Sequence, residues 1–308
     1  MSEILVTISF RANLLVRCDK IISACKQTLT RWESLVDKIT VVQLDASECE
    51  LVGISRLAGL VTAVETVLND TLVEALVAYP GKLAKKQITV QELNAAGSSL
   101  ASFQLVAQKA ANDMAYLNIK DYVKTWQDYV GELSELSQDE IDDFAEVKAT
   151  RDVYLHNNGK PNDIYERKAG IKARKADRGG NLPVDDTYLK AATRLCAAII
   201  DAISTAMNVT YANCRKEMVF REMWDATCCG KLVAFDEQWQ TSTHPYHRKD
   251  LNWGWSHSEK ALFDIFLRIF HTTSPDITTD IEYALYRWPS HTAEGQVIRS
   301  WIESPFHM

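Results

Sequence analysis

Apolar residues in this chain recur every third or fourth position over stretches long enough to demand helices. The clearest run is Ile54, Leu57, Val61, Val64, Leu68, Leu72 and Leu76, which ends at Tyr79-Pro80-Gly81. That spacing puts every member on one face of a helix, and the Pro-Gly pair stops it. Leu14, Cys18, Ile21, Cys25, Leu29, Trp32 and Val36 repeat the pattern, over roughly seven turns. Leu100, Phe103, Ala107, Ala110, Met114 and Leu117 predict a helix over 98–117, and Ile119, Tyr122 and Trp126 a shorter one over 119–130. After Val184-Asp185-Asp186, a stripe of Tyr188, Ala192, Leu195, Ile199, Ile203 and Met207 opens a long helix whose end is open as far as Met223. Residues 4–10 alone leave strand and helix start undecided. The fold class expected is all-α.

The chain has 308 residues, enough to bury a real core. Its net charge of −7 excludes a broadly basic nucleic-acid coat, so any RNA contact must use a local patch. Seven scattered cysteines, an odd count with no Cys-x2-Cys pair, give no disulfide framework. A reducing, cytoplasmic setting is expected, with the helical cysteines as core residues. Residues 4–10 are too short to span a membrane and no cationic leader precedes them, so no membrane association is expected.

Templates for cofactor chemistry are missing. There is no Walker loop, no Gly-x-Gly-x-x-Gly, no Gly-x-Ser-x-Gly, and no acidic cluster like a two-metal nuclease site. The last 85 or so residues are rich in tryptophan (Trp224, Trp239, Trp253, Trp255, Trp288, Trp301), read as core anchors or, for a few, a partner-facing surface. Ser256 or Ser258 can cap a helix carrying Leu262, Ile265, Phe266, Ile269 and Phe270, with two shorter helices over 277–288 and 293–302. His244, His247 and His257 with Cys228 and Cys229 raise a zinc site, but the His spacing is awkward on a helix and no ordered Cys pair accompanies it. No metal or cofactor is expected.

The chemistry concentrates in 145–159, Ala-Glu-Val-Lys-Ala-Thr-Arg-Asp-Val-Tyr-Leu-His-Asn-Asn-Gly. Ser137-Gln138-Asp139-Glu140 is a plausible start for its helix, with acids at the end the dipole prefers. Phe144, Val147, Arg151 and Leu155 fall on one stripe, and a guanidinium there is expensive unless paired or used. Glu65, flanking the stripe of 54–78, is the natural partner. Asp152 and His156 are four apart, so the carboxylate could orient the imidazole. Asn157-Asn158-Gly159 reads as the helix end, which leaves His156 in the last turn, where the dipole favours the imidazolium. Next comes the most basic window of the chain, 160–183, with little periodicity. Its Arg167, Lys168, Lys172, Arg174, Lys175 and Arg178 read either as a solvated loop or as an arm that tracks phosphates. Tyr165 within it could stack on a base.

Arg151-Asp152-Val153-Tyr154-Leu155-His156 resembles the signature of the HEPN family, an Arg followed four to six residues later by a His, with a polar residue after the Arg. The tail Asn157-Asn158-Gly159 with Ile164-Tyr165, and the segment from Ser55 through Glu65 to Glu74, are similar to the family as well. The resemblance covers roughly 51–210, and its specific part is barely 15 residues. It implies a four-helix core of 54–78, 98–117, 140–156 and 186–209, and a division into 1–50, 51–215 and 216–308. It implies a metal-independent endoribonuclease, a toxin or antiviral-defence effector, with Arg151, His156 and Asp152 catalytic and Glu65 and Asn157 supporting. RNA supplies its own nucleophile, the 2′-hydroxyl, so acid–base groups and a cation suffice. Positions five apart on a helix point about 140° from one another, so a shared site in a homodimer is implied. A neutralising or sensor protein is a further expected partner. The alternatives are a non-catalytic HEPN-like module that binds nucleotide or protein, and a purely structural scaffold.

Overall fold

A computed structural model describes residues 7–39, 45–83, 87, 89–115, 117–176, 180–232, 256–270 and 281–306. The protein is all-α: among the described residues there is no strand. The chain divides into two compact units. One comprises Val16–Ala75 with Gln108–Thr210, and the other Met1–Leu15 with Leu76–Ala107 and Tyr211–Met308. Each unit draws on stretches distant in sequence.

The first unit holds the stretch that carries the chemistry. Its elements are α2 (Leu14–Ile39), α3 (Ala46–Ala78), the later part of α5 (Ser99–Ala115), α6 (Ile119–Tyr129), α7 (Gln138–Asn157), α8 (Asp163–Ala169) and α9 (Asp186–Thr210). Along α3, Leu57, Leu60, Val61, Val64, Val67, Leu68 and Leu72 are all fully buried, a wider face than one stripe. Residues 47–78 are long and apolar enough to cross a membrane by length and composition, but half of the most apolar window is buried inside the protein. Two of its carboxylates are paired, Glu74 with Arg17 at 2.5 Å and Glu65 with Arg151 at 2.8 Å, as in a core helix. Gly59 lets the Trp32 indole lie against the α3 backbone: a Cβ there would stand 2.2 Å from the ring nitrogen. Trp126 of α6 is fully buried and donates to Thr71 of α3.

Local chemistry explains the helix ends. Ser137 and Glu140 form a reciprocal capping box at the start of α7. Asn162 caps α8, whose buried residues are Tyr165 and Ala169, four apart. This helix lies in the segment expected to lack periodicity, since seven residues are too few for a pattern to register. In α2, Ile22 and not Ile21 is the buried member. α9 stops at Thr210, short of Met223. On α7, Leu155 leaves the expected stripe and is 51 % exposed, while Val153 is buried.

The other unit has its own aromatic core. Its helices include α1 (Ile8–Arg11), α4 (Val90–Ala96) and α11 (Cys228–Leu232), while α10 (Lys216–Ala226), α12 (His257–Phe270) and α14 (Ala293–Glu303) supply Phe220, Met223, Trp224, Phe263, Phe266 and Trp301. The Trp224 ring meets Phe263 and Phe266 edge-on at 5.8 and 5.3 Å. Trp224, Trp288 and Trp301 are thus core anchors; Trp239, Trp253 and Trp255 lie outside the described residues. Ser256 caps α12 as expected, through Glu259. α13 (Ile281–Arg287) and α14 are the two shorter helices expected there. In the same unit Arg11 binds Glu222 through both terminal nitrogens, at 3.1 and 2.9 Å.

Candidate functional site

α7 carries an alternating row of charges along a half-buried flank. Lys148 and Arg151 both reach across to Glu65 of α3, Arg151 donating from a terminal nitrogen at 2.8 Å. Arg151 Nε stands 3.2 Å from Asp152 but makes no hydrogen bond, a buried N–H left over. Asp152 in turn accepts from Lys168 of α8 at 2.9 Å. The order Lys148–Glu65–Arg151–Asp152–Lys168 puts three cations against two carboxylates, ending on a cation at each side. The Glu65–Arg151 pair is the one expected from the sequence. Asp152 differs from expectation: among the described residues it serves Arg151 and Lys168, and no hydrogen bond joins it to His156. Beside Glu65, the buried Tyr122 hydroxyl has no partner among the described residues, and burial followed by the Glu65 charge pushes its pKa up.

His156 occupies the exposed last turn of α7. The helix ends as its residues foretold. Asn158 is left-handed at φ 55°, Gly159 follows at φ 79°, and both amides bond to the Val153 carbonyl. A Cβ at Gly159 would meet the Tyr154 ring at 2.9 Å. Asn157 spends its amide on the Lys160 carbonyl at 2.5 Å, so it holds the turn together. Because α7 is unbroken from Gln138 to Asn157, Arg151 and His156 of one chain keep their angular separation.

The basic window is not a free arm. Lys168 binds Asp152, and Lys172 binds Asp139 and Asp143 at 2.7 and 2.8 Å. Those two carboxylates hold the Lys172 pKa above its usual range. Arg174 departs furthest from a phosphate contact. Its Nε donates to Glu146 at 2.8 Å, one terminal nitrogen to the Pro183 carbonyl and the other to Thr150, while its plane lies 3.8 Å over the Tyr188 ring. Arg167 and Lys175 are exposed and make no ion pair among the described residues; Arg178 lies outside them. Tyr165 is buried, with its hydroxyl bound to Glu146, and cannot stack on a base.

Glu146 was not singled out from the sequence, and it organises this side of α7. Its carboxylate is 5 % exposed and accepts from Thr150, Tyr165, Tyr188 and Arg174, at 2.6 to 2.9 Å. Burial and the Glu146 charge raise the Tyr188 pKa well above its normal range, so that phenol remains a donor. The available signal was Glu146 and Thr150, two polar residues four apart on a buried face. Among the described residues no group of three or more His, Cys, Asp or Glu could hold a metal ion. His244 and His247 of the zinc reading are not described. Comparison with protein-family models, curated proteins and solved structures finds no match to this chain.

Proposed function

We propose that this protein is a metal-independent endoribonuclease with a HEPN-like core, a toxin or antiviral-defence effector acting as a homodimer in the cytoplasm. The observation that carries the reading is the pairing of roles on one helix. Arg151 is held by Glu65 with a side chain only 16 % exposed, and His156 stands in the open one turn later. In the reaction the 2′-hydroxyl attacks the adjacent phosphorus and the 5′-oxygen leaves. His156 moves a proton, and Arg151 binds the charge that builds on the phosphate oxygens. Two α7 ends related by a twofold axis supply two of each group to one cleft, which one helix cannot do.

The second reading, a non-catalytic HEPN-like module, draws support from the charges already spent. Lys168, Lys172 and Arg174 face carboxylates of the protein itself. Purified wild type, His156→Ala and Arg151→Ala, assayed on RNA with EDTA present, separate the two. Cleavage by wild type, lost in both variants with helicity unchanged, is the expected result; equal activity in all three removes the assignment. Light scattering of an active preparation should give twice the 34.8 kDa chain mass, and a monomer would remove the shared site.

A further inference from the structure

A cleft of about 380 Å³ lies between α7 and α9, bordered by residues 172–174. This is in the size range of small-molecule sites. Its walls are aliphatic: Val147 from α7, with Ala191, Ala192 and Leu195 from α9. Val147 and Ala192 are buried, whereas Ala191 is exposed, so a small side chain on the open side keeps the cleft from being filled. The polar groups around it are bound elsewhere. Glu146 has its four donors, Arg174 has one acceptor on each nitrogen, and Lys172 bridges Asp139 and Asp143. The Arg174–Tyr188 stack is fixed by those bonds, so this surface is rigid before anything binds.

We propose that this cleft binds a small uncharged aromatic molecule of about the size of indole. The rim carries two carboxylates and two cations, Asp143 and Glu146 against Lys172 and Arg174, which are paired with one another and leave no net charge for an ion to meet. A neutral ring displaces only water from the exposed Ala191 and half-buried Leu195, and it can lie against a guanidinium or phenol plane without disturbing their hydrogen bonds. The cleft is independent of Arg151 and His156, so it stands or falls without the ribonuclease reading.

The test is a titration of the ¹⁵N-labelled full chain with indole, followed by amide shifts. The expected result is saturable movement of the Ala191, Ala192 and Leu195 amides, with a Kd below about 1 mM. Ala191→Leu, which fills the cleft from its exposed side, should weaken binding by on the order of 10-fold at an unchanged thermal midpoint. Lys172→Gln should leave indole affinity within about twofold, since no charge is used. Absence of saturable shifts overturns the proposal, as do shifts elsewhere that Ala191→Leu does not alter. Tighter binding of indole-3-acetate than of indole, lost in Lys172→Gln, overturns the uncharged class.

Discussion

Two arginines meet carboxylates along α7, and they are used in opposite ways. Arg174 has an acceptor on each of its three nitrogens and an aromatic ring under its plane. Arg151 has one good hydrogen bond, to Glu65, and a buried Nε with none. A guanidinium bonded through all three nitrogens holds parts of the protein to one another. One bonded through a single terminal nitrogen, to a carboxylate that Lys148 also neutralises, has another terminal N–H with which it can take a phosphate oxygen. The number of arginines near a helix end is therefore a poor guide to binding; what matters is how many of their N–H groups are already spent.

The largest expected effects set these two sites against each other. Arg151→Ala should lower RNA cleavage on the order of 10²-fold or more, while costing about 1–2 kcal/mol in urea unfolding, since Lys148 still neutralises Glu65. Glu146→Ala should do the reverse. It strands Arg174 and two phenols in a buried site and should cost about 3–5 kcal/mol. If Glu146→Ala unfolds like wild type, the saturated site is not structural. An Arg151→Ala loss of similar size would make both arginines scaffold.

A smaller effect concerns the two exposed cations of the same window. Arg167→Gln with Lys175→Gln should reduce the salt dependence of RNA binding by a slope of about 1.4, at ~0.7 per phosphate contact on a single strand. Lys172→Gln should change it little, because that charge is held by Asp139 and Asp143. Equal slopes for wild type and the double variant would leave the window with no electrostatic role. The smallest effect is at the start of α7. Lys120, and then Gln138, hold the Asp142 carboxyl below the usual carboxylate range. A depressed folded pKa contributes stability that is complete above the unfolded value, near 4, and is lost as pH falls through the folded one. The stability gap between wild type and Asp142→Asn should therefore be open at pH 7 and close on acidification below about 4. A gap that persists unchanged at low pH would assign the effect to shape and not to charge.

What could be read from the residues was local. Asn157-Asn158-Gly159 announced the end of α7 because the left-handed turn is a property of those residue types. Glu65 and Arg151 could be matched because each was a charge misplaced on or beside an apolar stripe. The basic window stays open between loop and arm in the sequence because a charge count says nothing of which way a side chain turns. Lys168, Lys172 and Arg174 turn toward carboxylates of α7 because α8 folds back on it, and α8 is too short to show a period. The pairing of 16–75 with 108–210 was equally out of reach, since periodicity fixes which face is apolar and not which distant helix covers it.

Gly159 accepts from the Leu182 amide at 2.9 Å, and Leu182 accepts from the Tyr154 hydroxyl at 2.5 Å. The chain between them is thereby a closed loop, pinned at its mouth. Closure entropy grows only with the logarithm of loop length, about 0.6 kcal/mol per doubling. Residues added after Lys175 should leave the His156 turn where it is. This makes the loop a port for a fluorophore or an affinity handle, and the exchange rate of the Leu182 amide a gauge of whether the mouth is still shut.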